Sequence, residues 1–194
     1  MSADVPPRAW LLPDEPVPVR LMTTIWADAE GIHDDLRSPQ DVDAWLDAVG
    51  VDRSGTRSTT AELTQARGLR DAVRQLAAFI TGDPGQPAAA IGDALAQVNA
   101  AAAQAPAPAL VLCGGHLERG TQDHGSPVTA GLARIAEDTI GLFGGDDAAK
   151  LRACPAPSCV LYFVKTHPRR EWCSLGCGNR VRAARHYQRV RALR

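Results

Sequence analysis

Four cysteines constrain this 194-residue chain more than any other feature: Cys154-Pro-Ala-Pro-Ser-Cys159, thirteen residues, then Cys173-Ser-Leu-Gly-Cys177. Two pairs, each with a short internal gap and separated by a longer one, let a single chain wrap four thiolates tetrahedrally around one Zn2+. Such wrapping requires each pair to sit on a tight turn or at a helix end. Pro155 and Pro157 stiffen the first turn. In the second pair the i, i+4 spacing puts both sulfurs on one side of a helix's first turn, with Ser174 as the expected N-cap. The cluster keeps a net negative charge, which a helix N-terminus stabilises. The competing reading is four unrelated buried thiols. A shell filled by sulfur leaves no position for water, so one structural zinc is expected, holding together a module of about 40 residues that is too small to stabilise itself.

Between the pairs, Val160-Leu161-Tyr162-Phe163-Val164 is β-branched and aromatic and predicts a strand of a small hairpin, turned by Thr166, His167 and Pro168. His167 is an alternative ligand that four thiolates make unnecessary. The fifth cysteine, Cys113, lies in an apolar run and reads as a small buried hydrophobe in preference to a reactive thiol.

Charge separates the chain at the same place. Residues 150–194 hold 11 basic residues and one acidic, a balance of +10, whereas residues 1–149 hold 10 basic and 21 acidic, −11, so the formal net charge of −1 averages two opposed parts. A basic element beside an acidic body points to an anionic partner, most often nucleic acid. A helix from about Leu175 to Leu193 carries Arg182, Arg185 and Arg189 on one stripe at about 100° per residue. Permanently charged, planar guanidinium groups suit bidentate contact with phosphate oxygens. Arg169 and Arg170, in the turn before the second pair, count with the stripe as candidate nucleic-acid contacts. Arg180, Arg191 and Arg194 fall on the other side, with Ala184 and Tyr187 expected to pack on the zinc module. Arg180 and Asn179, just after Cys177, are expected to hydrogen-bond to the cluster sulfurs or cap a local loop. The competing reading of the stripe is a solvated face, or one that neutralises the thiolates or the acidic body.

The residues Trp172-Cys173-Ser174 and Cys177-Gly178-Asn179-Arg180, with Cys154 and Cys159 before them, resemble the CGNR zinc finger family. The resemblance is most specific over residues 150 to 190. It implies a finger placed behind a helical ABATE domain, and a role as a DNA-binding or stress-related transcriptional regulator.

The rest of the chain reads as a mostly helical domain with a few strands over residues 17 to 145. Residues 1 to 16, with Pro6, Pro7, Pro13 and Pro16, read as a poorly ordered leader. Alternation of Val19, Leu21, Thr23 and Ile25 predicts a strand from Val17 to Trp26. Ser38-Pro39 opens a helix that Gly50 ends, and Thr60 opens a longer one to about Ile80 that Gly82 and Pro84 stop. A third helix, from about Pro87 to Ala103, presents Ile91, Leu95 and Val98. Ala109 to Cys113 turns through Gly114 and Gly115 into a hairpin with His116 to Thr121. Ser126-Pro127 caps a last helix carrying Leu132, Ile135, Ile140 and Phe143, and Gly144 to Asp147 marks the boundary. The fold class is therefore α+β, a mainly helical domain with a few strands followed by a ββα-like zinc module over residues 150–194.

No segment approaches the ~20 apolar residues of a membrane span, and no secretory signal is legible, so a cytoplasmic setting that keeps cysteines as thiols is expected. His33-Asp34-Asp35 and the group His116, Glu118, Asp123 and His124 lack the spacing of a nucleophile elbow, a phosphate loop or a zinc protease motif, and no enzyme is expected. The sequence predicts a DNA-binding transcriptional regulator that contacts phosphates, its larger domain sensing a small molecule or forming a homodimer. The alternative is a zinc-stabilised interaction module whose basic finger docks on an acidic protein surface.

Overall fold

The computed structural model describes residues 12–83, 91–122 and 125–192. In chain order these form α1 (Val17–Met22), β1 (Ile25–Ala27), β2 (Ile32–Asp34), α2 (Pro39–Val49), α3 (Thr60–Thr81), α4 (Ile91–Ala102), β3 (Ala107–Cys113), β4 (His116–Gln122), α5 (Pro127–Gly144), a 3-10 turn at Asp146–Lys150, β5 (Leu151–Ala153), β6 (Tyr162–Val164) and α6 (Leu175–Ala192). The six strands make three separate antiparallel pairs, β1 with β2, β3 with β4 and β5 with β6.

Local chemistry sets the helix boundaries. Ser38 accepts from the Asp41 amide while the Asp41 carboxylate accepts from the Ser38 amide, Pro39 fills the first turn, and Gly50 closes α2 in the left-handed conformation at φ +78°. Thr59 and Glu62 form the same reciprocal cap on α3, one residue before the predicted start. Glu62 also accepts from the Ser126 hydroxyl, and Ser126 caps α5, so one carboxylate joins two helix N-termini. The predicted beginning of α4 at Pro87 and the stop at Pro84 lie outside the described residues, as do residues 1–11, Asp123, His124 and Arg194.

α3 is the central helix. It packs on α1, α2, α4, α5 and β5, burying Leu63, Ala66, Leu69, Val73, Leu76 and Ala77 at helical spacing. On α4 the buried face is Ala94, Val98 and Ala101, not the larger Ile91 and Leu95 that the spacing favoured. Small residues let α4 lie close to its neighbours, and the big ones are left at the border of an apolar cavity of about 310 Å3 with Phe79, Ile140 and Phe143.

The strand expected from Val17 to Trp26 is replaced by α1 and the short β1. Pro16 and Pro18 occupy the start of α1, where a missing amide costs no hydrogen bond. The buried set Pro18, Val19, Leu21 and Met22 is a helical face, and Val19 and Leu21 matched a period of two only by coincidence.

The β3–β4 hairpin is as predicted, with Gly114 and Gly115 both at positive φ (57° and 87°) as a two-residue turn requires. Its residues are mostly exposed, and the register places Leu112 opposite Leu117 and Leu110 opposite Arg119 on one face. Cys113 is exposed here, not buried, because this hairpin extends from the body and lies outside both of its apolar clusters.

Candidate metal centre

β5, β6 and α6 form the expected ββα arrangement, and the loops after β5 and β6 together with the first turn of α6 bring the cysteines to one point. The sulfurs of Cys154, Cys159, Cys173 and Cys177 all lie within 4.8 Å of one another. Cys159 and Cys173 are 3.8 Å apart, Cys173 and Cys177 3.4 Å, and Cys177 and Cys159 3.7 Å. Sulfurs at about 2.3 Å from a tetrahedral Zn2+ are separated by about 3.8 Å, so the donor set fits the ion in size as well as in chemistry. The four cysteines hold one structural zinc.

Each cysteine is placed by its local chain. The Cys154 amide donates to the Leu161 carbonyl at 2.9 Å, which closes the first knuckle, and Ser158 in that turn is left-handed at φ +59°. Cys173 lies just before α6, and Ser174 Oγ accepts from the Cys177 amide at 3.2 Å, the predicted N-cap. Arg180 donates to Cys177 Sγ at 3.1 Å, as expected, and this bond raises the arginine's pKa. Asn179 has a different role. Its carbonyl oxygen accepts from Arg182 at 2.5 Å. Before the metal binds, the thiols share protons unequally. Hydrogen bonds from Cys159 and then Cys173 pull Cys154 down to about 2, while bonding to Cys154 pushes Cys159 up to about 12 and pushes Cys173 up as well. Zinc displaces the protons on the raised thiols, which favours binding as pH rises.

The finger has its own apolar cluster, and part of that cluster comes from far away in sequence. Leu12 and Trp26 pack with Leu161, Phe163, Val181 and the cysteines. Leu151, Tyr162 and Val164 point the other way and belong to the main core with α1, α3 and α5. Three polar links reinforce this joint. Glu15 Oε2 accepts from the Val164 amide at 2.9 Å, and its other oxygen pairs with Arg170 at 2.5 Å. Arg74 on α3, buried, donates to the Met22 and Val160 carbonyls at 3.0 Å each and lies over the Tyr162 ring. Tyr162 donates to Asp83 at 2.7 Å. Leu12 and Glu15 are therefore part of the finger's packing, which corrects the expected leader at those two residues: Glu15 is drawn in by an amide and a guanidinium that need a carboxylate.

The candidate nucleic-acid contacts divide. Arg182, Arg185 and Arg189 are exposed on α6, and Arg169 is exposed in the turn. Arg170 turns inward. Besides forming an ion pair with Glu15 it donates to the carbonyls of Val164 (3.1 Å) and Cys173 (3.0 Å) and covers the Phe163 ring, so it braces the finger where the sequence suggested a surface contact. Tyr187 is 78% exposed and does not pack on the zinc module. Trp172 takes that place: the Arg182 guanidinium lies 5.9 Å from its ring, and a Cβ at Gly178 would come within 3.1 Å of it. The Trp-Cys-Ser and Cys-Gly-Asn-Arg segments already pointed to these two residues, but Leu12, Glu15, Trp26 and Arg74 carried no local signal.

The His33-Asp34-Asp35 group of the body is engaged in structure. His33 stacks on Trp26 at 3.9 Å and bonds to Asp28, Asp34 pairs with buried Arg70 at 2.6 Å, and Asp35 accepts from the Trp26 indole. His116 and Glu118 are exposed on β4. Among the described residues no helix is long and apolar enough to cross a membrane.

Residues 15–146 match the ABATE family, described as "Putative stress-induced transcription regulator", and residues 150–190 match the CGNR zinc finger. No curated protein matches the chain.

Proposed function

The chain belongs to the ABATE family, and we propose that it is a DNA-binding transcriptional regulator whose zinc-held finger lays the α6 arginines along a phosphate backbone. The observation that carries this reading is the uncovered stripe. Arg182, Arg185 and Arg189 stay exposed although the acidic body is covalently attached and packed against the other side of the finger. The joint runs through Glu15, Arg74 and an apolar core, which leaves the stripe available to an outside anion. The test is the salt dependence of duplex binding. Wild-type affinity should fall steeply with salt, and R182A/R185A/R189A should lower the log–log slope by about 3 with a loss of at least about tenfold in affinity, since each phosphate contact contributes a slope of about 1. Duplex binding insensitive to salt, or unchanged in the triple variant, would refute the proposal. Binding only to an acidic protein would instead support the interaction-module alternative.

The same proposal gives the larger domain a non-catalytic role, in keeping with the stacking of His33, the ion pair of Asp34 and the helix caps of Asp41 and Glu62. Its β3–β4 hairpin supports homodimer formation. Leu110, Leu112 and Leu117 share one face and are 71%, 70% and 68% exposed, on a two-stranded sheet of a kind that is only marginally stable in water by itself. A second copy of the hairpin offers both a matching apolar face and a free strand edge. L112E/L117E is then expected to convert a dimer to a monomer in analytical ultracentrifugation at micromolar concentration. A wild-type protein that sediments as a monomer there excludes this part. The apolar cavity between α3, α4 and α5 has the walls and size for a small apolar molecule, in keeping with a sensing domain.

A further inference from the structure

A second feature of the finger lies beside the arginine stripe. Between the β5–β6 pair and α6 the surface opens into a cleft of about 320 Å3. Four cations line it, Arg152, Lys165, Arg170 and Arg185, against a single acid, Glu171. Its remaining wall includes Trp172 and Phe163, with Val181 from α6. Arg170 is held by Glu15 and backbone carbonyls, as described above, so its charge is compensated and the cations left to meet an anion are Arg152, Lys165 and Arg185. Arg152 is exposed, with its Nη1 donating to the Ala149 and Leu151 carbonyls at 2.7 and 2.6 Å.

The Trp172 side chain is flanked by α6. α6 approaches it closely because residue 178 is glycine, and Arg182 lies over the ring without lining the cleft. The half-buried indole is thus held in place by one set of neighbours and presents further surface to the cavity.

Duplex phosphates alone do not account for such a shape. A phosphate ridge is convex and needs only exposed cations, which the stripe supplies. A concave site with an aromatic wall and a cationic rim suits a planar ring joined to phosphates, and base–aromatic stacking is indifferent to which base is offered. In a paired duplex that ring is unavailable, since it is stacked between its neighbours. Arg185 belongs both to the stripe and to the cleft, so a strand following the stripe passes the cleft's mouth.

We propose that the cleft receives one unpaired nucleotide of the bound nucleic acid, its base against Trp172 and its flanking phosphates against Arg152, Lys165 and Arg185. This rests on the reading of the stripe as a phosphate contact. Glu171 is the one acceptor side chain in the wall, placed to take a base amino group and to repel a further phosphate.

The experiment uses the full-length zinc-loaded protein and three labelled probes in fluorescence anisotropy: a perfect duplex, the same duplex with one bulged nucleotide, and that bulge made abasic. The bulged probe is expected to bind about tenfold tighter than the perfect duplex, within the range of about 5- to 150-fold that one stacked base provides. The abasic bulge, equally bent and flexible, should return to the affinity of the perfect duplex. Lys165→Ala and Trp172→Phe should each reduce the advantage of the bulge while leaving the perfect duplex bound, which separates the cleft from the stripe. Equal affinity for all three probes overturns the cleft and leaves the stripe intact. An abasic bulge bound as tightly as the intact one overturns it as well, because flexibility and not the base is then read. Binding to the bulge without salt-dependent binding to the perfect duplex supports the cleft and refutes the stripe, and binding to none of the probes refutes both.

Discussion

Removing zinc, by chelator or by Cys173→Ser, is expected to unfold the finger and to lower the melting temperature of the whole chain in a single transition. The second part follows from how the small β pair is shared. Phe163 faces the cysteine cluster, while Tyr162 and Val164 on either side of it lie in the main core with Leu151. Losing the metal frees the knuckles, and the strand they hold cannot remain in the core alone. Structural zinc in isolated fingers contributes about 10–16 kcal/mol of apparent binding free energy. Part of the finger is here held by the body, so the effect on the whole chain is expected to be somewhat smaller, on the order of 5–10 kcal/mol. The check is a zinc-to-protein ratio of one that falls to zero in Cys173→Ser, together with thermal melting by circular dichroism. A protein that is metal-free as purified and melts at the same temperature with and without chelator would contradict the assignment. Two well-separated transitions would keep the zinc but refute the shared core.

What the sequence revealed and what it concealed divide along sequence distance. Cysteine pairs, the Ser38 and Ser126 caps and the Gly114-Gly115 turn are signals between residues at most five apart, and each was legible. The long helices were legible because an apolar period repeats over many turns. At Val17–Met22 the segment has six residues, too few for a helical period to outweigh a chance alternation, and two prolines tipped the backbone. Cys113 and Tyr187 misled for a related reason: an apolar or aromatic residue gives no warning that its element extends away from the core. Arg170 looked like one more surface cation because its partner lies at the other end of the chain. Arg74 appears in the sequence as an ordinary arginine of an amphipathic helix. Only the fold puts the Met22 and Val160 carbonyls, 52 residues before it and 86 after it, in front of its guanidinium.

Glu15→Ala is expected to destabilise the protein by about 3 kcal/mol, a large effect for a residue in a segment that reads as a leader. The carboxylate is almost fully buried, with its side chain 2% exposed, and it accepts the Val164 amide while pairing with Arg170. Its removal leaves a buried amide without an acceptor, worth about 1–3 kcal/mol, and leaves Arg170 with its charge uncompensated beside Phe163. Glu15→Gln keeps the shape and can still accept from the amide, so its cost should be smaller and confined to the ion pair. The two contributions separate in a double-mutant cycle with Arg170→Ala measured by urea denaturation. A coupling energy of about 1–3 kcal/mol is expected for a pair in contact, whereas independent sites add within about 0.5 kcal/mol. Additivity would mean that Glu15 acts through Val164 alone. The functional consequence lies in the orientation of α6, since Arg170 also donates to the Cys173 carbonyl just before that helix. Glu15 is thereby linked through Arg170 to the residue that precedes the helix carrying Arg182, Arg185 and Arg189. On the proposed reading of a DNA-binding dimer, Glu15→Gln should weaken binding of a palindromic duplex more than binding of a single half-site, because only the former depends on the angle between finger and body.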